Sequence, residues 1–216
     1  MPLDELVHRR RPADGAAAGA LVLLHGRGVD ENDLFPLLDL LDPERRLEAF
    51  TLRAPLQPPG HTGNHWYVVH QIGSPDQDSF LSTYATLDRW LQSLAEETGV
   101  PPERTVLGGF SQGGVMSYAM GLGRDRPTPA AILALSCFVP TVDGWSTELS
   151  GRGDLPVYDA HGVNDPIIPV DFGRQARDLL QDKVDLTYRE HAGGHTIDPR
   201  AFDELRDFVQ AAIPAK

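Results

Sequence analysis

One stretch restricts this chain more tightly than any other. Val106-Leu107 runs into Gly108-Gly109, then Phe110-Ser111-Gln112, then Gly113-Gly114 and the helix-like run Val115-Met116-Ser117-Tyr118-Ala119-Met120. A strand must end there, the chain must turn sharply at a serine, and a helix must begin at once. Gly109-Phe110-Ser111-Gln112-Gly113 is a G-x-S-x-G pattern, and in that context it reads as a nucleophile elbow. Glycine stands two residues to either side of the serine because side chains there would collide in so tight a turn. The turn lifts the Ser111 hydroxyl clear of the sheet edge. It also aims the N–H of Gln112, at the positive end of the new helix, into the same space. The pentapeptide alone is equally compatible with a glycine-rich turn carrying a structural serine, so the rest of the chain must decide.

Strand and helix patterns alternate along the chain. Residues 5–10 suit an edge strand, and Ala20-Leu-Val-Leu-Leu24 is an apolar run suited to a central strand buried on both faces. Asp30 or Asn32 can cap a helix through Leu41, with Leu34, Leu37, Leu38 and Leu41 as its apolar positions. Phe50-Thr-Leu52 is a short strand. Residues 54–78 form the one long irregular segment, broken by Pro55, Pro58, Pro59 and Gly60 and carrying His61, His65, Trp66, Tyr67, His70 and Ile72. Residues 79–98 read as a helix with Leu81, Tyr84, Leu87, Leu91 and Leu94 on one stripe. After the elbow and its helix through Leu122 come strands at 130–135, 156–160 and 184–190, with helices at about 170–181 and 199–213. The expected architecture is α/β, a mainly parallel central sheet with helices on both faces. No repeat or linker interrupts it, so residues 1–216 are expected to form a single domain.

In an open parallel sheet, chemistry collects beyond the carboxyl ends of the strands. This chain places His25-Gly-Arg-Gly28 after the first apolar strand, Ser111 after the elbow strand, Asp165 after the strand ending at Ala160, and His195 after the last strand. The order Ser, Asp, His is that of an α/β-hydrolase triad. Ser111 needs a base to become a nucleophile, His195 can take and return the proton, and Asp165 can fix the imidazole tautomer. Each has rivals. Asp159 lies inside a strand, and Asp198 lies too near His195 in sequence to come from another strand end. His191 directly continues a strand, whereas Gly193-Gly194 free His195 to fold back over the sheet edge. A metal site on His191 and His195 would need a helix there, and the two glycines argue against one, so no metal is expected. His25 and His161 read as structural hydrogen-bonding groups. The N–H groups of Arg27 and Gln112 are candidate oxyanion donors. Cys137 reads as a buried thiol. Trp66 and Tyr67 either wall an acyl pocket or form a satellite core.

Taken together, six stretches resemble the phospholipase/carboxylesterase branch of the α/β-hydrolases, which includes the acyl-protein thioesterases. They are Leu24-His-Gly-Arg-Gly28, Arg53-Ala-Pro55, Gly108-Gly-Phe-Ser-Gln-Gly-Gly114, Leu135-Ser-Cys-Phe-Val-Pro140, His161-Gly-Val-Asn-Asp-Pro-Ile-Ile-Pro169 and Gly193-Gly-His195. They occur in the family's order over about residues 20–200. The resemblance implies a compact serine esterase with no cofactor, the triad on Ser111, Asp165 and His195, and oxyanion donors on Arg27 and Gln112. Residues 57–74 depart from the family's pattern.

Charge narrows the partners. Nineteen basic against 31 acidic residues leave a net charge of −12, which repels nucleic-acid phosphates and anionic membranes. One cysteine excludes an internal disulfide framework, and no run approaches a membrane span, so the expected location is cytoplasmic. His8 to Arg11 reads as a solvated basic terminus rather than a targeting signal. The expected activity is hydrolysis of small to medium acyl esters through an acyl-enzyme, by a monomer or homodimer acting on a small-molecule ester. The alternatives are an acyl thioesterase or lysophospholipase, or a non-catalytic ligand-binding protein on the same fold.

Overall fold

In the computed structural model, which describes Leu3 and residues 6–214, two apolar strands lie side by side near the middle of the sheet. They are β2 (Gly19–Leu24) and β6 (Thr105–Phe110), paired in parallel. Outward from β2 come β3 (Leu47–Leu52), also parallel, and β1 (His8–Arg11), antiparallel at the edge. Outward from β6 come β7 (Ala131–Leu135), β8 (Pro156–Gly162) and β9 (Asp185–His191), all parallel. Successive side chains of a strand face opposite ways. Ala20, Val22 and Leu24 therefore enter the core beneath α2 (Gln77–Thr98), α3 (Gln112–Leu122) and α4 (Val170–Leu180). Leu21 and Leu23 enter the core beneath α1 (Leu37–Leu41) and α5 (Phe202–Ala212). Both faces are covered, and the loops after β2, β6, β8 and β9 emerge at one edge. No helix among the described residues is long and apolar enough to cross a membrane.

Helix α2 has clear ends. The Asp76 carboxylate accepts the Ser79 N–H at 3.0 Å, and Gly99 closes the helix at φ 70°. Its buried face is rotated from the expected stripe. Phe80, Leu87, Trp90 and Leu94 are buried, while Leu81, Tyr84 and Leu91 flank them half-buried. The reason is Trp90, whose ring meets Phe50 edge-on at 5.4 Å and whose Nε1 donates to the Leu3 carbonyl. The expected helix from Asp30 to Leu41 is corrected to its last turn, Leu37–Leu41. Asp30 instead accepts the Asn32 N–H locally, and i+3 turns carry the chain to Pro36, whose ring disfavours helix at Phe35.

The expected edge strand runs 8–11, and residue 5 lies outside the described residues. Arg9 and Arg10 are exposed, as the solvated reading of His8 to Arg11 has it, and that reading is corrected at Arg11. Arg11 is buried, donating to the carbonyls of Leu38 and Asp42 at the end of α1 and pairing with the Asp42 carboxylate. Residues 54–78 are less irregular than expected. They contain a small hairpin, β4 (Val69–Gln71) and β5 (Ser74–Pro75), and isolated bridges Val29–Asn64 and Leu56–His65.

One buried carboxyl carries a measurable consequence. Asp159 in β8 is fully buried; Oδ2 accepts the Tyr118 hydroxyl at 2.7 Å, and Oδ1 has no partner among the described residues. Burial pushes its pKa from 3.8 up to about 7. The folded protein therefore holds this proton more tightly than the unfolded chain. The stability it contributes is complete below the unfolded value and is lost as pH rises through about 7. Asp159→Asn should remove that slope. The difference in unfolding free energy between variant and wild type, measured by urea titration, should move in the variant's favour from pH 4 to pH 8, by on the order of 4 kcal/mol. Taking the difference cancels His25 and His161, whose lowered pKa values act with the opposite sign. A pH-independent difference would refute the assignment.

Candidate active site

The elbow takes the strained geometry its sequence implies. Ser111 has φ 55° and ψ −120°, outside the regions ordinary for a side-chain-bearing residue. A Cβ on Gly109 would lie 2.4 Å from the Gly113 carbonyl carbon, and one on Gly113 would lie 1.9 Å from the Leu24 carbonyl oxygen. These contacts are backbone against backbone, so no rotamer change relieves them. The Ser111 N–H donates to the Leu135 carbonyl at 2.9 Å, tying the turn to β7. Helix α3 starts at Gln112 and is buried along its length.

Beyond β8 the chain turns at Gly162 to Asp165. The Asp165 side chain is buried, and its Oδ1 accepts the N–H groups of Ile167 and Ile168 at 2.8 and 2.9 Å. Beyond β9 the 192–195 loop folds back across this turn. A Cβ on Gly162 would meet the Gly194 carbonyl oxygen at 2.2 Å, and Asn164 holds the loop through the carbonyls of Gly193 and Ala192. His195 is thereby delivered between the two other groups. Its Nδ1 lies 2.6 Å from Asp165 Oδ2, and its Nε2 lies 2.9 Å from Ser111 Oγ. With the carboxylate accepting from Nδ1–H, Nε2 is left as the acceptor of the serine proton. The Phe110 ring lies against the imidazole at 4.7 Å and limits its rotation.

The N–H groups of Arg27 and Gln112 donate to no acceptor among the described residues, and both residues border the cavity that contains Ser111. The side chain of Gln112 has a task that sequence reasoning missed. Its Oε1 accepts the Trp66 N–H at 3.0 Å and its Nε2 donates to the Tyr67 carbonyl at 2.9 Å. The elbow thus clamps the long 54–78 segment in place. Trp66 itself is core. It is completely buried, donates Nε1–H to the His25 carbonyl at 2.8 Å, and does not border the cavity, whereas Tyr67 does.

The rivals are elsewhere. Asp159 is in the core beneath the sheet edge, Asp198 pairs with Arg200, and His191 Nδ1 accepts the Gly193 N–H. Residues 192–196 are not helical, and among the described residues no group of three or more His, Cys, Asp and Glu is arranged to hold a metal. Cys137 is buried, which pushes its thiol pKa well up. His25 Nδ1–H donates to Gly26 O and Nε2 accepts the Ala54 N–H, while His161 Nε2–H donates to Ile168 O. Burial lowers the pKa of both.

The cavity beside Ser111 is about 30 Å³, with Tyr67, Val69, Ile72, Phe138, Ile167 and Ile168 as its apolar lining. Residues 11–213 match the Phospholipase/Carboxylesterase family. The chain belongs to that family. The chain is similar to the acyl-protein thioesterase 1 of Yarrowia lipolytica, 31% identical with 93% of each chain covered. The acyl-protein thioesterase 1 of Cryptococcus neoformans is 28% identical, with 96% of this chain and 98% of the relative covered. Among solved structures, esterase PE8 superposes with a TM-score of 0.82 at 27% identity, covering 96% and 99% of the two chains. The Bacillus cereus carboxylesterase superposes with a TM-score of 0.81 at 20% identity, covering 96% and 94%, a likeness of fold. This member of the phospholipase/carboxylesterase family is a serine ester hydrolase with the α/β-hydrolase fold.

Proposed function

We propose that the chain is a one-domain carboxylesterase that cleaves small to medium acyl esters through an acyl-enzyme on Ser111. The observation that carries this reading is the hydrogen-bonded line from Ser111 Oγ through the His195 ring to Asp165, opening on an apolar cavity. As the ester enters, His195 Nε2 takes the Ser111 proton and Oγ attacks the carbonyl carbon. Charge developing on the carbonyl oxygen is met by the N–H groups of Arg27 and Gln112. His195 then gives its proton to the departing alcohol. A water, deprotonated by the same nitrogen, attacks the acyl-enzyme and frees the acid and Ser111. Asp165 holds the ring and stabilises its charged form throughout. No cofactor enters this sequence. The acidic net charge and single cysteine support a cytoplasmic enzyme that makes no stable membrane contact, and its proposed state is monomer or homodimer.

A thioesterase is the second reading, favoured by the names of the relatives at 28% and 31% identity. Rates on p-nitrophenyl esters from acetate to laurate, beside S-acyl thiocholines of matching length, decide between them. Higher kcat/KM on the oxygen esters supports the carboxylesterase. Higher values on the thioesters move the assignment to thioesterase. Failure on both, together with no fluorophosphonate labelling of Ser111, would overturn the hydrolase mechanism and favour a ligand-binding role.

A further inference from the structure

The cavity at Ser111 is much smaller than the one behind it. A second cavity, of about 580 Å³, lies between α4 and the segment after β7, with Val142, Trp145, Ala176 and Leu179 on its walls. Gly73 and Phe138 border both cavities. Phe172, in the first turn of α4, borders the larger one and packs on both shared residues. Its ring stands 5.4 Å from that of Phe138, tilted by 43°. Its edge presses on the tip of the β4–β5 hairpin, where a Cβ on Gly73 would lie 2.5 Å from Cε1 and 2.7 Å from Cζ. Gly73 has φ +83°, so the hairpin turn and the close approach both require glycine there. Gly73 and Phe138 form the wall that the two cavities share, and Phe172 backs that wall from the side of the larger one.

We propose that Phe172 is a specificity-determining residue, which by backing Phe138 and the Gly73 turn keeps the acyl cavity closed and confines the acyl chain on Ser111 to a few carbons. The inference rests on the carboxylesterase reading above. The cavity at Ser111 offers about 30 Å³ against about 580 Å³ in the one behind Phe172, room for a short acyl group and not for a long chain. A longer chain has to leave its remaining methylenes in water and forfeits their burial, about 0.8 kcal/mol for each. Removal of the Phe172 ring takes away the packing that holds Phe138 and the Gly73 turn in place, so that the wall can yield to a longer chain and open toward Val142, Trp145, Ala176 and Leu179. The control is steric and sits on α4, away from the residues that move protons.

The test is the ratio of kcat/KM for p-nitrophenyl octanoate to that for p-nitrophenyl acetate, in wild type, Phe172→Ala and Phe172→Leu, with each protein's melting temperature recorded. Wild type should prefer acetate or butyrate. Phe172→Ala should raise the octanoate-to-acetate ratio by about tenfold or more, the size expected when several methylenes gain a pocket. Phe172→Leu, which keeps an apolar side chain but not the ring edge at Gly73, should fall between, and it serves as the test if the alanine variant does not fold. An unchanged ratio in a folded variant that still cleaves acetate overturns the proposal. A wild type that already prefers octanoate overturns it as well, while leaving the hydrolase reading intact. Absence of all ester cleavage and of Ser111 labelling sinks the hydrolase reading, and the acyl gate with it.

Discussion

Ser111→Ala is expected to lower kcat on p-nitrophenyl esters by about 10⁴ to 10⁶ and to abolish the initial burst of nitrophenol, with the fold retained. The size follows from the mechanism. Without Oγ no acyl-enzyme forms, and only binding and the two N–H donors remain to assist attack by water. The same position tests whether the strain at φ 55° is real. Alanine keeps the unfavourable backbone, whereas glycine adopts it freely. Ser111→Gly should therefore be as inactive as Ser111→Ala and yet more stable, by about 1 kcal/mol after allowing for the greater entropy of the unfolded glycine chain. Equal stability of the two variants would show that the turn is not strained. Retained burst kinetics in Ser111→Ala would remove the serine from the mechanism.

Asp165→Asn is expected to cost about 10⁴ in kcat, a figure set by the tautomer of His195. The local hydrogen bonds make the direction unambiguous. Oδ1 of Asp165 accepts two N–H groups, from Ile167 and Ile168. In the variant the amide oxygen must occupy that place, because an NH₂ group there would face two donors. The amide nitrogen then points at His195 Nδ1, which is forced to accept, and the ring proton moves to Nε2. That nitrogen can no longer take the proton of Ser111, 2.9 Å away. The melting temperature should change little, since the cap on the two N–H groups is kept. If Asp165 only capped the turn, Asp165→Asn would keep both its melting temperature and most of its activity. Stopped-flow kinetics and a thermal melt on the same sample separate the two.

The parts of this protein that were legible in sequence share a cause. Alternation of apolar runs and the glycine pairs beside Ser111 act over a few neighbouring residues, and the chain carries them wherever it goes. The parts that were not legible depend on partners far away in the chain. The helix expected from Asp30 is the exception, cut to its last turn by causes close by in sequence, the Asp30 bond to the Asn32 N–H and Pro36. The face of α2 turned because Trp90 found Phe50. Arg11 went inward because the end of α1 offered it carbonyls and a carboxylate. Trp66 was expected either at the pocket or in a satellite core, and its indole N–H found an acceptor only behind the site.

By itself, then, the sequence determined the alternation of strands and helices, the elbow at Ser111, and the chain order in which serine, aspartate and histidine follow separate strands, because each is written in local spacing and turn chemistry. Tertiary structure alone decided that Asp165 and His195 close to 2.6 Å, since that distance depends on the parallel register of β8 and β9 and on a loop crossing Gly162. It alone decided the size of the cavity beside Ser111, because Gly73, Phe138 and Phe172 are far apart in the chain and meet only through packing, which no local pattern records.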